Sequence, residues 1–144
     1  RRHSHGNWAP RVASWAVQDY AAGIRVVPKP AQHCRMEYRL PGADTNPYMT
    51  LAFVLGAGLD GIECGHELPA PLPAGAGPES VMVEGEPLPH SLYEASTRLA
   101  ASMDCRRLFG DSFVDYLVAA SSHESEATRR YVSDQERQRY LEIV

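Results

Sequence analysis

The sequence predicts an α+β fold, a short antiparallel sheet of three strands followed by several helices, on three observations. The first forty residues carry β-branched and apolar residues in short runs separated by turn-prone or proline-containing pieces, the pattern of short strands. Asn46-Pro47 then offers a helix N-cap followed by proline at the first helical position, where the missing N–H costs nothing. Further on, Ser91-Leu92-Tyr93-Glu94 and Ser133-Asp134-Gln135-Glu136 have the form of reciprocal capping boxes.

The strands are placed at 12–17, 23–27 and 34–40. In the last of these, Arg35, Glu37 and Arg39 alternate with Met36, Tyr38 and Leu40. Successive side chains on a strand point to opposite faces, so the three charged groups share one. Pro41-Gly42-Ala43-Asp44 breaks the strand, and a helix is predicted over 47–62. It is apolar nearly all round (Tyr48, Met49, Leu51, Phe53, Val54, Leu55, Leu59 and Ile62), which predicts a buried helix, with Gly56 and Gly58 allowing close packing. The stretch 68–89 is heavy in proline and glycine and reads as an extended surface excursion in which no core forms. Helices are expected at 92–103, 112–132 and 134–143. No internal repeat is visible.

At 144 residues the chain has the length of one ordinary domain. Three cysteines, Cys34, Cys64 and Cys105, lack CxxC spacing, and no apolar stretch reaches the roughly 18 residues of a membrane span. A cytoplasmic, reduced protein is the expectation. The opening Arg1-Arg2-His3-Ser4-His5-Gly6-Asn7-Trp8 has neither an apolar run nor an initiator methionine, so a secretory signal is not expected and an upstream part is. Fourteen basic residues against eighteen acidic ones, with no basic stripe, argue against a nucleic-acid surface or a membrane partner. Thirteen of the fourteen are arginine. Codon bias would produce that excess, and so would a need for bidentate forks on carboxylate or phosphate.

Two readings of the Arg35, Glu37, Arg39 face stand side by side. It is either a solvated strand face of mutually paired charges, or a floor where guanidinium forks hold an anion and the carboxylate holds a hard cation such as magnesium. Spacing alone does not separate them. His3, His5 and His33 show no helical i, i+4 pairing, and nothing marks any cysteine as an activated thiolate.

The run Arg35-Met36-Glu37-Tyr38-Arg39-Leu40-Pro41-Gly42-Ala43-Asp44-Thr45-Asn46-Pro47-Tyr48 closely resembles a segment of the glutamine synthetase family. Ala57-Gly58-Leu59-Asp60-Gly61-Ile62 continues the match, and the segment from Leu88-Pro89 to Glu94-Ala95 is similar as well. Fading outward from this run, the resemblance extends from Arg2 to Tyr140 and casts the chain, 1–144, as the C-terminal part of a catalytic domain, with active-site residues on the strands of 1–40 and a mainly helical remainder over 46–144.

What the resemblance implies is a ligase. ATP phosphorylates the γ-carboxylate of glutamate, and ammonia or an organic amine then displaces the phosphate. By position in the motif, Glu37 looks like a ligand of Mg2+ or Mn2+. Arg25 and Arg35 look like catalytic, nucleotide-binding contacts to ATP, and Arg2 and Arg39 like the pair that grips glutamate. The resemblance also implies a ring-shaped homo-oligomer with sites between subunits.

Three departures qualify the match. Tyr20 stands where many members carry a phosphate-touching arginine. Trp8 stands near a flap position where glutamine-forming members place a glutamate, and it is a possible amine-site residue that would pack a larger amine. The family's other metal-binding glutamates and nucleotide segment lie upstream of this sequence, so this piece alone is expected to be inactive. The alternative to an active ligase is a catalytically silent relative kept for assembly or binding.

Overall fold

In the computed structural model of the chain, the described residues are 9–28, 30–75, 86–141 and 143. They fall into two compact units, the first running to Leu88 and the second starting at Pro89.

The first unit is built on three strands, β1 (Trp15–Val17), β2 (Ile24–Val27) and β3 (Arg35–Tyr38), lying side by side in that order. They lie inside the predicted runs. The sheet is mixed, however, and not antiparallel throughout. β2 and β3 are antiparallel, with Arg25 opposite Glu37, but β1 and β2 run parallel, with Ala16 opposite Arg25.

Short connections ordinarily make antiparallel hairpins, and parallel neighbours usually need a dozen residues or more. Here six residues suffice because the strand to be recrossed is only three residues long. Recrossing it means covering about 10 Å, and six extended residues reach about 20 Å. The return is tight. Gln18 takes the left-handed conformation at φ 59°, uncommon for a residue with a side chain. Asp19 Oδ1 accepts from Ala21 N–H at 2.8 Å, and Ala21 and Ala22 are buried. Gly23 fits where a Cβ would stand 3.2 Å from the Ser14 carbonyl oxygen.

Val12 and Ala21 form a small core against which Leu72 packs. The excursion over 68–89 therefore contributes to a core at its ends, contrary to the expectation. Leu72 N–H donates to the Trp15 carbonyl at 2.9 Å and Trp15 Nε1 donates to the Pro69 carbonyl at 2.8 Å. Val12 pairs with Pro87 in an isolated antiparallel bridge.

Helix α1 (Pro47–Glu63) starts as predicted, with Asn46 Oδ1 accepting from Tyr48 N–H at 3.0 Å and Met49 N–H at 3.2 Å. Its predicted burial is not found. Among the described residues Tyr48 is 83% exposed and Leu51, Leu55 and Leu59 about 60%, and a Cβ at Gly58 would meet nothing within 4 Å. The apolar pattern was read correctly, but no described element covers this side of the helix.

The second unit holds α2 (Leu92–Ala101), α3 (Met103–Phe109), α4 (Asp111–Arg130) and α5 (Asp134–Tyr140). The single helix expected over 92–103 ends early because Ser102, with ψ 105°, both closes α2 and caps α3, its hydroxyl accepting from Cys105 N–H. Val114 is fully buried where α2 packs on α4. Arg106 ties α3 to α4 through Asp111 at 2.8 Å and Asp115 at 2.9 Å. Of the two capping boxes, the one at Ser133 is complete, and its serine bonds hold Glu136 below the usual carboxylate range. At Ser91 the hydroxyl accepts from Glu94 N–H as expected, but the Glu94 carboxylate accepts from His90 N–H instead of closing on Ser91.

Candidate active site

The antiparallel register sets Arg25 directly across from Glu37, so their side chains share one face of the sheet. Arg25 Nη1 donates to Glu37 Oε2 at 3.0 Å. From the other side, Arg35 donates to Glu37 Oε1 through both Nε, at 3.0 Å, and Nη2, at 2.8 Å. Glu37 is thus clamped between two guanidinium groups. The Arg25 hydrogen bond, followed by that from Arg35, holds its carboxyl below the usual carboxylate range and keeps it ionised.

Arg25 is the more buried of the two arginines, with 11% of its side chain exposed against 53% for Arg35. Its Nη2 donates to Gln18 Oε1 at 3.0 Å, so the left-handed turn at Gln18 has a visible use: it brings an amide oxygen to this guanidinium. The Arg25 guanidinium also lies 4.0 Å from the centre of the Tyr20 ring. Arg39, one residue past β3, extends the ladder by donating its N–H to the Gly23 carbonyl at 2.8 Å. Its guanidinium lies 5.0 Å from the same Tyr20 ring, so both arginines are within cation–π reach of one aromatic group.

Four of the residues picked from the sequence, Arg25, Arg35, Glu37 and Arg39, are therefore brought together, with Tyr20 among them. Arg2 and Trp8 lie outside the described residues. Gln18 was missed, because its role depends on a backbone turn that no local motif announces.

The opposite face of the same sheet is apolar. Ile24, Met36 and Tyr38 line one side of a cavity of about 840 Å³, and the α1 stripe of Phe53, Val54, Ala57 and Gly58 lines the other. Alternation along β2 and β3 thus gives a charged face and an apolar face from eight residues.

Residues 1–140 match the family model described as "Glutamine synthetase, catalytic domain". The chain belongs to that family. Among curated glutamine synthetase relatives, it is 32% identical to the type-1 glutamine synthetase 2 of Dictyostelium discoideum, over 100% of this chain and 28% of that protein. It is 31% identical to a glutamate–isopropylamine ligase of a Pseudomonas species, over 100% of this chain and 31% of that protein. With the γ-glutamylethanolamide synthetase GlnA4 of Streptomyces coelicolor it shares 33% identity, over 99% of this chain and 30% of that protein. The solved structure of apo GmaS without ligand superposes with a TM-score of 0.78 at 26% identity, covering 96% of this chain and 32% of that one. The chain thus spans about a third of the length of the glutamine synthetase relatives it matches. Among the described residues, no helix is long and apolar enough to cross a membrane.

Proposed function

We propose that this chain is the C-terminal part of the catalytic domain of an ATP-dependent ligase that joins an amine to the γ-carboxylate of glutamate through a γ-glutamyl phosphate. The observation that carries the reading is the clamped Glu37 with Arg25, Arg35, Tyr20 and Arg39 around it. Phosphoryl transfer is catalysed mainly by positioning and charge neutralisation. A face holding three guanidinium groups and one carboxylate has the charge for it.

Whether Glu37 can also hold Mg2+ or Mn2+ is decided by its lone pairs. A carboxylate offers about four acceptor positions. Oε1 takes two donors from Arg35 and Oε2 takes one from Arg25, leaving one position on Oε2 for a cation. Glu37 therefore fits as a single ligand. A hard cation takes about six oxygens, and the remainder would come from substrate phosphates and from parts of the protein outside this chain. Such a cation, when bound, supplies charge neutralisation at the phosphates.

The other groups divide the work. Arg35 uses Nε and Nη2 on Glu37, and its Nη1 has no partner among the described residues, so it can reach a phosphate oxygen without releasing the carboxylate. Arg25, stacked and bonded on two sides, is a fixed positive charge behind it. Arg39, with Arg2, binds the glutamate carboxylate. Trp8 packs the acceptor amine, and an organic amine is favoured over ammonia by that aromatic group and by the names of two relatives. Assembly into a ring homo-oligomer is part of the proposal, supported by the bare apolar stripe of α1.

A catalytically silent relative is the second reading, favoured by Tyr20 at the place of an expected arginine. One experiment separates the two: glutamate-dependent phosphate release from ATP by the full-length protein, with ammonium, ethanolamine and isopropylamine offered in turn. Turnover with at least one amine is expected. ATP binding without turnover on any amine would establish the silent protein.

A further inference from the structure

At the far end of α1 lies a second group of side chains that the proposed ligase chemistry does not use. Asp60 is buried, Cys64 stands one helical turn on, and His66 follows just past the helix end. Their ligand atoms lie within 4.8 Å of one another. Cys64 Sγ is 3.5 Å from Asp60 Oδ1, and His66 Nε2 is 3.7 Å from Asp60 Oδ2.

The backbone accounts for the convergence. Asp60 and Cys64 share a helix face by their i, i+4 spacing. His66 would continue away from the helix were it not for Gly65, which takes the left-handed conformation at φ 63°. His66 N–H then donates to the Gly61 carbonyl at 3.0 Å and Gly65 N–H to the Ile62 carbonyl at 3.3 Å. This is a Schellman turn, which reverses the chain over the helix end and brings the imidazole back beside the Asp60 carboxylate. Looking for paired histidines in the sequence passes over this site, because its ligands are of three different kinds.

We infer that Asp60, Cys64 and His66 form a binding site for a zinc-type divalent ion, separate from the Glu37 site. Tetrahedral zinc, with bonds of about 2.0–2.3 Å, sets its ligand atoms about 3.3–3.6 Å apart. The separations of 3.5 and 3.7 Å, one to each oxygen of the Asp60 carboxylate, are close to that size, and with all three ligand atoms within 4.8 Å of one another a small closing movement of the exposed Cys64 and His66 side chains completes the set. The donor set also selects the metal. Thiolate and imidazole suit zinc and its borderline neighbours, whereas magnesium takes oxygen ligands. On binding, the Cys64 S–H bond gives way to a sulfur–metal bond and its proton passes to solvent. Cys64 and His66 are exposed, so an ion can enter from water, and water can fill the fourth position.

The test is titration of the full-length protein with Co2+ as a spectroscopic stand-in, in the presence of millimolar Mg2+ to saturate oxygen-only sites. One equivalent of Co2+ is expected to produce a thiolate-to-cobalt charge-transfer band that Zn2+ abolishes. Cys64→Ser should remove the band and Cys105→Ser should leave it intact. His66→Asn should weaken Co2+ binding by at least about tenfold, since even an outer-shell partner is worth about ten- to hundredfold in metal affinity. Cys64 and His66 are exposed and Cys105 is half-buried, and serine and asparagine are close in size to the residues they replace, so these variants are expected to fold, which circular dichroism checks. No charge-transfer band, or one that survives Cys64→Ser, would overturn the assignment.

Discussion

The two faces of one small sheet behave in opposite ways. On the charged face, Arg25, Glu37 and Arg35 pair with one another within two adjacent strands. On the apolar face, Ile24, Met36 and Tyr38 meet α1 across an open cavity, and the far stripe of α1 is bare. Charges that must act together are held by short-range bonds that the segment provides for itself, whereas apolar surface needs area that a third of a family-length protein does not contain. The charged face is accordingly the segment's own contribution to the proposed site, and the apolar surface is where the rest of the protein is expected to attach.

That contrast can be broken most severely at Glu37. Glu37→Ala removes the carboxylate between two guanidinium groups, and glutamate-dependent phosphate release by the full-length protein is expected to fall by at least about a hundredfold. On the apolar side, a double substitution of Leu51→Asp and Leu55→Asp places charge on the bare stripe of α1. If the remainder of the protein covers that stripe, desolvating the new charges is costly, and size-exclusion chromatography of the full-length protein should show loss of assembly. An unchanged elution volume would mean that the stripe is solvent-facing in the native protein.

Smaller effects sharpen the picture. Tyr20→Leu removes the ring near Arg25 and Arg39, and since a partly exposed cation–π contact is worth about 0.5–1 kcal/mol, the KM for glutamate is expected to rise about two- to fivefold. Tyr20→Arg should raise kcat if the phosphate grip lacks a charge. The pH dependence follows from Glu37, whose folded-state pKa lies below its ordinary 4.5. Its contribution to stability is full above 4.5 and is lost as pH falls through the lowered value. Arg35→Ala removes one cause of the lowering, so in acid titrations followed by circular dichroism the contribution of Glu37 should be smaller and its loss complete at a higher pH. Least of all, Ser133→Ala removes the cap of α5 and should cost the second unit about 1 kcal/mol in denaturant unfolding, without effect on turnover.

How much of this was legible beforehand depended on range along the chain. Arg35, Glu37 and Arg39 were readable because a period of two is a local property, and α1 was readable from Asn46-Pro47. The pairing of Arg25 with Glu37 joins residues twelve apart through a register that no local pattern states. The parallel entry of β1 was hidden for a similar reason: six residues normally signal a hairpin, and only the left-handed Gln18 and the small residues at 21–23 permit the return. The exposure of α1 was missed because an all-round apolar pattern predicts that a helix is covered without saying by what. Cys64 and His66 were passed over because their convergence on Asp60 depends on the turn at Gly65.

The central claim is that the charged sheet face divides its labour, with Glu37 serving the metal-bound nucleotide and Arg39 serving glutamate. Calorimetric titration of the full-length protein with Mg·ATP and, separately, with glutamate tests it directly in the wild type, Glu37→Gln and Arg39→Ala. The account predicts that Glu37→Gln weakens Mg·ATP binding and leaves glutamate binding near normal, and that Arg39→Ala does the reverse. Wild-type affinity for both ligands in both variants would contradict it.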